Sequence, residues 1–444
     1  MPRVRPKFVQ GAGEACGGEY RHGFRLPRNG MGGNHASDKD AQLADEGTLG
    51  MGEAHCERLQ RTGRSVKWPA PERHPTFAVG NVKPFEDEKM MEQLPGLDEL
   101  TRMLQIPCPS GREQLMAAHL AKRLGDLGAE PRQDGQGNLW VDLPGREPGP
   151  GVAIASHTDE IAMVVCGIEA DGTIRVQRSG GLYPFKLGEG PVVLVGEGEQ
   201  VPAHLSFGSG HTSDPSDPVA QFNRGSKGIT WEDCRLLTGL SSVELGARGV
   251  RVGTCAVPAA SVRGPTIFGP DDDPLVSAWL FDNRGGSLTL LQLWSWLRNA
   301  GVTPRRTLHL CFLVQEESGL LGAKGWVRRN QVETFVAVDS TPMPRGSGLS
   351  LDGRPGIWSR DSQVHFDQGL IGDFAAAAGR AGTELQYAVY SAAASDATGV
   401  LQVGGAERCA TIGYPRENSH GYEVVRWSVF RHLTNTLGEW VSSY

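Results

Sequence analysis

The sequence predicts an α/β/α sandwich with a mixed, largely parallel sheet, plus a smaller inserted all-β domain. Three observations predict it. Apolar runs bounded by turn residues alternate with helical periods before residue 164 and after residue 265, the pattern of strands joined by helices. Gly151–Ser156 is a short apolar run, as expected of a parallel strand buried on both faces. Between residues 164 and 265 no sustained helical period appears, and short alternating runs recur among frequent Gly and Pro, which reads as all-β.

Residues 1–91 are rich in Gly, Arg, Glu and His and lack a sustained apolar period. They read either as a disordered extension or as the result of a start assigned too early, since Met90 and Met91 sit where the ordered pattern begins. The larger domain then has a first segment over residues 92–163. Leu97, Leu100, Met103 and Leu104 recur at helical spacing. Ser110 and Glu113 have the spacing of a capping box, followed by a helix carrying Leu115, Ala118, Leu120 and Leu124 and closed by Gly128. Gly137-Asn138 marks a turn before the strand Leu139-Trp140-Val141. The insertion, residues 164–265, holds Ile174-Arg175-Val176 and Val192-Val193-Leu194-Val195, a short helical stretch near Ser242–Leu245, and a mobile loop over Phe207–Gly228. Residues 266–444 return to the first pattern. Helices are predicted at Leu288–Leu297, Leu320–Val327, Leu370–Ala378 and Val424–Val441, and strands at Thr307–Val314, Phe335–Val338 and Ala410–Tyr414.

Composition narrows the function classes. A chain of 444 residues accommodates two or three domains. The net charge of -7 gives no electrostatic footprint for nucleic acid. No apolar run approaches the roughly 18 residues of a membrane span, and no secretory signal pattern opens the chain. The eight cysteines fall singly, without a Cys-x-x-Cys pair, which predicts free thiols and a cytoplasmic location.

The chemistry-bearing residues share one topological position. His157 follows the strand Gly151–Ser156, Glu316 and Glu317 follow Thr307–Val314, and Asp339 follows Phe335–Val338. His420 lies in the loop after Tyr414, and Asp282 just precedes a helix. Parallel strands bring their C-terminal ends to one sheet edge, where open α/β folds bind ligands. Taken singly, a strand-end His is an ordinary polar residue, Glu-Glu an ordinary helix start and Asp282 a good N-cap. Five such positions on one edge argue for a metal site. Two His and three carboxylates suit Zn²⁺, Co²⁺ or Mn²⁺, and one shared carboxylate lets five ligands serve two ions about 3.5–4 Å apart. If Glu317 binds metal, its neighbour Glu316 can lie beside the attacking water as general base. Asp159 can orient His157 through the second ring N–H.

The chain resembles the tetrahedral aminopeptidases, the glutamyl and deblocking aminopeptidase relatives, from about residue 94 to its end. The resemblance rests on Pro109-Ser110-Gly111-Arg112-Glu113, Ser156-His157-Thr158-Asp159-Glu160-Ile161 and Phe281-Asp282-Asn283-Arg284-Gly285-Gly286. It continues through Val314-Gln315-Glu316-Glu317-Ser318-Gly319, Val338-Asp339, Tyr414-Pro415-Arg416 and Ser419-His420. It implies two divalent ions per subunit. His157 and Asp339 would bind one, Glu317 and His420 the other, and Asp282 would bridge them, with Glu316 as base and Asp159 supporting His157. It also implies peptide substrates with a free N-terminus, an inserted domain that joins subunits, and a homo-oligomer from dimer to dodecamer. Asn283 stands where the family usually has a second Asp. Two other functions compete: a metal-dependent deacylase of N-acyl amino acids, and a catalytically silent scaffold.

Overall fold

The computed structural model describes residues 94–444, and the expectations for residues 1–91 fall outside them. The larger body opens with two helices, Leu97–Leu104 and Gln114–Asp126, followed by β1 (Arg132–Gln133), β2 (Leu139–Leu143) and β3 (Gly151–His157). The chain then leaves for six strands: β4 (Ala162–Ile168), β5 (Ile174–Ser179), β6 (Gly190–Val195), β7 (Gln200–Ser206), β8 (Arg235–Leu237) and β9 (Cys255–Pro258). These close into a barrel in the order β4-β5-β8-β7-β6-β9. Its interior is filled by Met163, Val165, Ile174, Val176, Leu194, Leu205 and Leu236. The Phe207–Gly228 stretch contains one short helix, Pro218–Asn223, whose first amides bond the Asp217 carboxylate.

Two short strands, β10 (Thr266–Phe268) and β11 (Leu275–Trp279), lead back to the larger body. There follow β12 (Leu308–Leu313), β13 (Val332–Pro342), β14 (Gly356–Arg360), β15 (Gln386–Val389), β16 (Arg408–Arg416) and β17 (Tyr422–Arg426). The main sheet runs β1-β2-β12-β3-β13-β16-β14-β15. Its centre, β12, β3, β13 and β16, is parallel throughout. The flanks mix in antiparallel pairs at β2–β12 and β14–β16. Every residue of β3 is buried, which is why its sequence reads as one apolar run. Close approach of β16 to β13 demands glycine at Gly413, where a Cβ would lie 1.3 Å from the Asp339 carbonyl oxygen.

Helices cover this sheet. Phe281–Asn299 packs on β3 and β13 and buries Leu288, Leu290, Leu293 and Leu297, each contributing roughly 1.5–3 kcal/mol by its burial. Ser428–Ser443 packs on that helix and on Gln368–Arg380. Asp396–Gln402 packs on Leu321–Val327 and the central strands.

Two sequence expectations change. The predicted helix over Val424–Val441 begins only at Ser428. Ahead of it, Tyr-Glu-Val-Val-Arg forms β17, which buries Glu423 and Val425 alternately and pairs with β11. That period of two, in a β-branched run, outweighs the helical reading. The predicted capping box at Ser110 and Glu113 does not form. The Ser110 hydroxyl instead donates to Asp159 at 2.6 Å. The Glu113 carboxylate accepts from the amides of Gly111 and Gln315 at 2.7 and 3.2 Å. The helix that follows starts at Gln114 without a side-chain cap, because both polar groups serve the neighbouring site loops.

Candidate metal centre

The parallel strands deliver their C-terminal ends to a cleft of about 970 Å³ whose floor includes His157, Asp282, Glu316, Glu317, Asp339 and His420. His157 is the last residue of β3. Thr158 then ties the chain to β12, through its amide and hydroxyl, both donating to the Leu313 carbonyl at 2.8 and 2.9 Å. Asp339 lies within β13 and is buried. Asp282 stands at a break inside the first turn of the Phe281–Asn299 helix, with a non-helical ψ of 102°. No amide of that helix bonds its carboxylate, whose oxygens instead face His157 and Arg416.

Glu316 and Glu317 follow β12 on a turn that opens with Gln315 at φ 55°. The Asp159 carboxylate fixes this turn, because it accepts from the amides of Glu316 and Glu317 at 2.9 and 3.2 Å. It also lies 3.5 Å from His157 Nδ1, although the nearer acceptor to that ring atom is the Asp159 carbonyl at 3.2 Å. Asp159 therefore positions Glu316 and Glu317 through its buried side chain and His157 chiefly through its carbonyl.

His157 Nε2 lies 3.1 Å from Asp282 Oδ1 and 4.0 Å from both Asp339 Oδ1 and Glu316 Oε2. His420 Nε2 lies 3.6 Å from the other oxygen of Asp282, Oδ2. Ligand-capable atoms gather within 4.8 Å in three groups: His157, Asp282 and Asp339; Asp282, Glu317 and His420; and His157, Glu316 and Glu317. The first two groups meet at Asp282. His420 and Asn418 occupy the left-handed region at φ 58° and 60°, a conformation costing about 1–3 kcal/mol for each non-glycine residue. The loop between β16 and β17 therefore needs its own restraints.

Charge in the cleft is out of balance. Burial opposes the charge of Asp282, but the Arg416 guanidinium and both imidazoles hold its carboxyl well below the usual carboxylate range. Elsewhere burial wins. It pushes Glu317 up to about 7 against the pull of His420, and Asp339 up to about 6 with help from the Asp282 charge. Burial raises Glu316 well above the carboxylate range, and the charges of Glu317 and Asp339 add to the rise while His157 opposes it. Burial also pushes Asp396 to about 8. For His420 the burial penalty is outweighed by the Asp282 hydrogen bond and the Glu317 charge, which bring it up to about 9. The carboxylates thus outnumber the cations the chain supplies, a surplus that divalent cations would neutralise. Glu317 Oε1 is buried with no hydrogen-bond partner, as a ligand atom aimed at a cation would be. The donor set of imidazoles and carboxylates fits Zn²⁺, Co²⁺ or Mn²⁺.

Two residues of the site carried no role in the sequence reading. Arg416 donates to Asp282 Oδ2 at 2.5 Å and pairs with Glu423. Glu423 in turn accepts from the amides of Asp282 and His420 at 3.0 and 2.9 Å. The signal for Glu423 was available: a carboxylate at an inward position of a period-two run must be satisfied by buried partners. Among the described residues, no helix is long and apolar enough to cross a membrane.

A family model described as M42 glutamyl aminopeptidase matches residues 137–435. The chain is similar to the glutamyl aminopeptidase of Lactococcus lactis subsp. cremoris, 29% identical over 256 residues, covering 55% of this chain and 66% of that protein. Among solved structures it resembles a TET aminopeptidase from a marine sediment archaeon of the Thaumarchaeota, with a TM-score of 0.70 at 20% identity over 80% of this chain and 96% of that one. It also resembles a Pyrococcus horikoshii TET1 peptidase that can assemble into a tetrahedron or a large octahedral shell, with a TM-score of 0.68 at 23% identity over 80% of this chain and 100% of that one. These structural likenesses establish a shared fold, and the family match extends across both the sheet and the barrel. The chain belongs to the M42 glutamyl aminopeptidase family and is a hydrolase of the peptidase type.

Proposed function

We propose that the chain is an aminopeptidase that uses two divalent ions, zinc above cobalt or manganese, with Glu316 as general base. The observation that carries this is the pair of ligand groups that meet at Asp282 within 4.8 Å. His157 and Asp339 would hold one ion, Glu317 and His420 the other, and Asp282 both. An ionised carboxylate has about four lone-pair positions, so Asp282 can keep its Arg416 bond and still serve two cations. When bound, such ions polarise the scissile carbonyl and lower the pKa of water toward neutrality. Glu316 then takes the proton of the attacking water and returns it to the leaving amine. Asp159 keeps the Glu316 carboxylate aimed by holding its backbone amide. The acidic cleft attracts the α-ammonium group of a free N-terminus. The test compares a short peptide with its N-acetylated twin. Cleavage of the free peptide at least about 100-fold faster is expected, since a buried charge pair contributes several kcal/mol of discrimination. Preference for the acetylated twin would support the deacylase reading instead, and no cleavage of either would contradict the aminopeptidase reading.

We further propose that the chain acts as a homo-oligomer, between a dimer and a dodecamer. The barrel leaves Phe185 and Val243 69% and 79% exposed, large apolar groups that association would cover. The TET1 peptidase it resembles can assemble into a tetrahedron or a large octahedral shell. Light scattering on the full chain at micromolar concentration should give at least twice the 47.7 kDa subunit mass; a strict monomer would contradict this.

A further inference from the structure

The centre formed by Asp282, Glu317 and His420 draws on the inserted barrel, although none of its ligands comes from it. His420 lies on the β16–β17 loop, and its Nδ1 sits 3.0 Å from the carbonyl oxygen of Gly181, in the segment that joins β5 to β6. A carbonyl only accepts, so this contact keeps a proton on Nδ1 and leaves Nε2, which faces Asp282, as the ring nitrogen able to ligate a cation. Gly181 also allows the ring its seat. A Cβ there would lie 2.5 Å from His420 Nδ1 and 2.6 Å from Cε1. Five residues on, Lys186 reaches across from the same segment and donates to Asn418 Oδ1 at 2.7 Å. Asn418 is the other left-handed residue of the loop and donates to the Tyr422 carbonyl at 2.7 Å. The barrel segment thus grips both non-glycine residues of that loop that sit at positive φ.

We propose that Gly181 and Lys186 are positioning residues for one ion of the pair: they set the tautomer and the seat of His420 and so govern the Asp282–Glu317–His420 centre alone. This rests on the two-ion reading above. Among the described residues, the His157–Asp282–Asp339 centre has no comparable tie to the barrel. Its imidazole is held by the Asp159 carbonyl and carboxylate, which follow it on the same chain segment. A shift of the barrel segment therefore weakens one centre and spares the other.

The test is zinc titration of the full chain by calorimetry after removal of bound metal, repeated with Co²⁺ while its visible absorption is followed. Gly181→Ala should weaken one of the two binding events by about 10–100-fold, the usual range for losing an outer partner of a ligand, and leave the other within about 3-fold of wild type. Lys186→Met adds no atom beside His420 and should shift the same event in the same direction. Gly198→Ala places its Cβ in open space elsewhere in the barrel and should move neither. Unchanged affinities in both Gly181→Ala and Lys186→Met, or equal weakening of both events, would overturn the proposal. If Gly181→Ala does not fold, Lys186→Met decides alone. If wild type itself shows only one event, the two-ion reading fails, and that result is distinct from a wild type with two events and variants that match it.

Discussion

Glu316→Gln is expected to lower kcat by about 10²–10⁴-fold, the usual contribution of a positioned general base, with metal content and KM close to wild type. The Glu316 carboxylate is buried, and its Oε2 lies 4.0 Å from His157 Nε2, beside the ligand groups that meet at Asp282. Its amide is held by Asp159, so the isosteric amide side chain keeps the same seat. Gln has no basic oxygen to take a proton, and only the chemical step should suffer. Glu317→Gln differs, because Glu317 belongs to the group with Asp282 and His420. It should lose metal as well as rate. Steady-state kinetics and metal analysis on both variants separate these roles. Near-native turnover in Glu316→Gln at full metal occupancy would show that another group activates the water.

Asp282→Asn should have the larger effect, a loss on the order of 10³-fold or more in kcat/KM. Lewis-acid stabilisation is worth several kcal/mol and each 1.36 kcal/mol is a factor of ten. Asp282 is the one carboxylate common to both proposed centres, with Oδ1 beside His157 and Oδ2 beside His420. An amide ligates weakly through one oxygen and carries no charge. Arg416 keeps Glu423 as a partner in the variant, so the protein is expected to remain folded, which far-UV circular dichroism checks. A variant that keeps more than a tenth of wild-type kcat/KM would mean that the centres do not share Asp282.

The central strands were readable because burial on both faces leaves a local mark. Gly151–His157 is apolar from Gly151 to Ala155 and buried throughout. The convergence of His157, Glu316, Glu317 and Asp339 followed from that reading, since parallel strands ending at one edge must bring their next residues together. What escaped depends on partners distant in sequence. Ser110 and Glu113 carry a local capping signature, yet their bonds run to Asp159 and to the amide of Gln315. Arg416 and Glu423 meet across a hairpin whose second strand looked like the start of a helix. The return of Gly181 to His420 joins residues 239 positions apart, and no local pattern encodes it.

The count of ions per chain tests the account most directly. Full-length protein stripped with a chelator, reloaded with Zn²⁺ and freed of excess should contain two ions per chain by elemental analysis, and the Asp282→Asn variant one or fewer. One ion or fewer per wild-type chain at saturation, or two undiminished in Asp282→Asn, would contradict a pair of ions sharing that carboxylate.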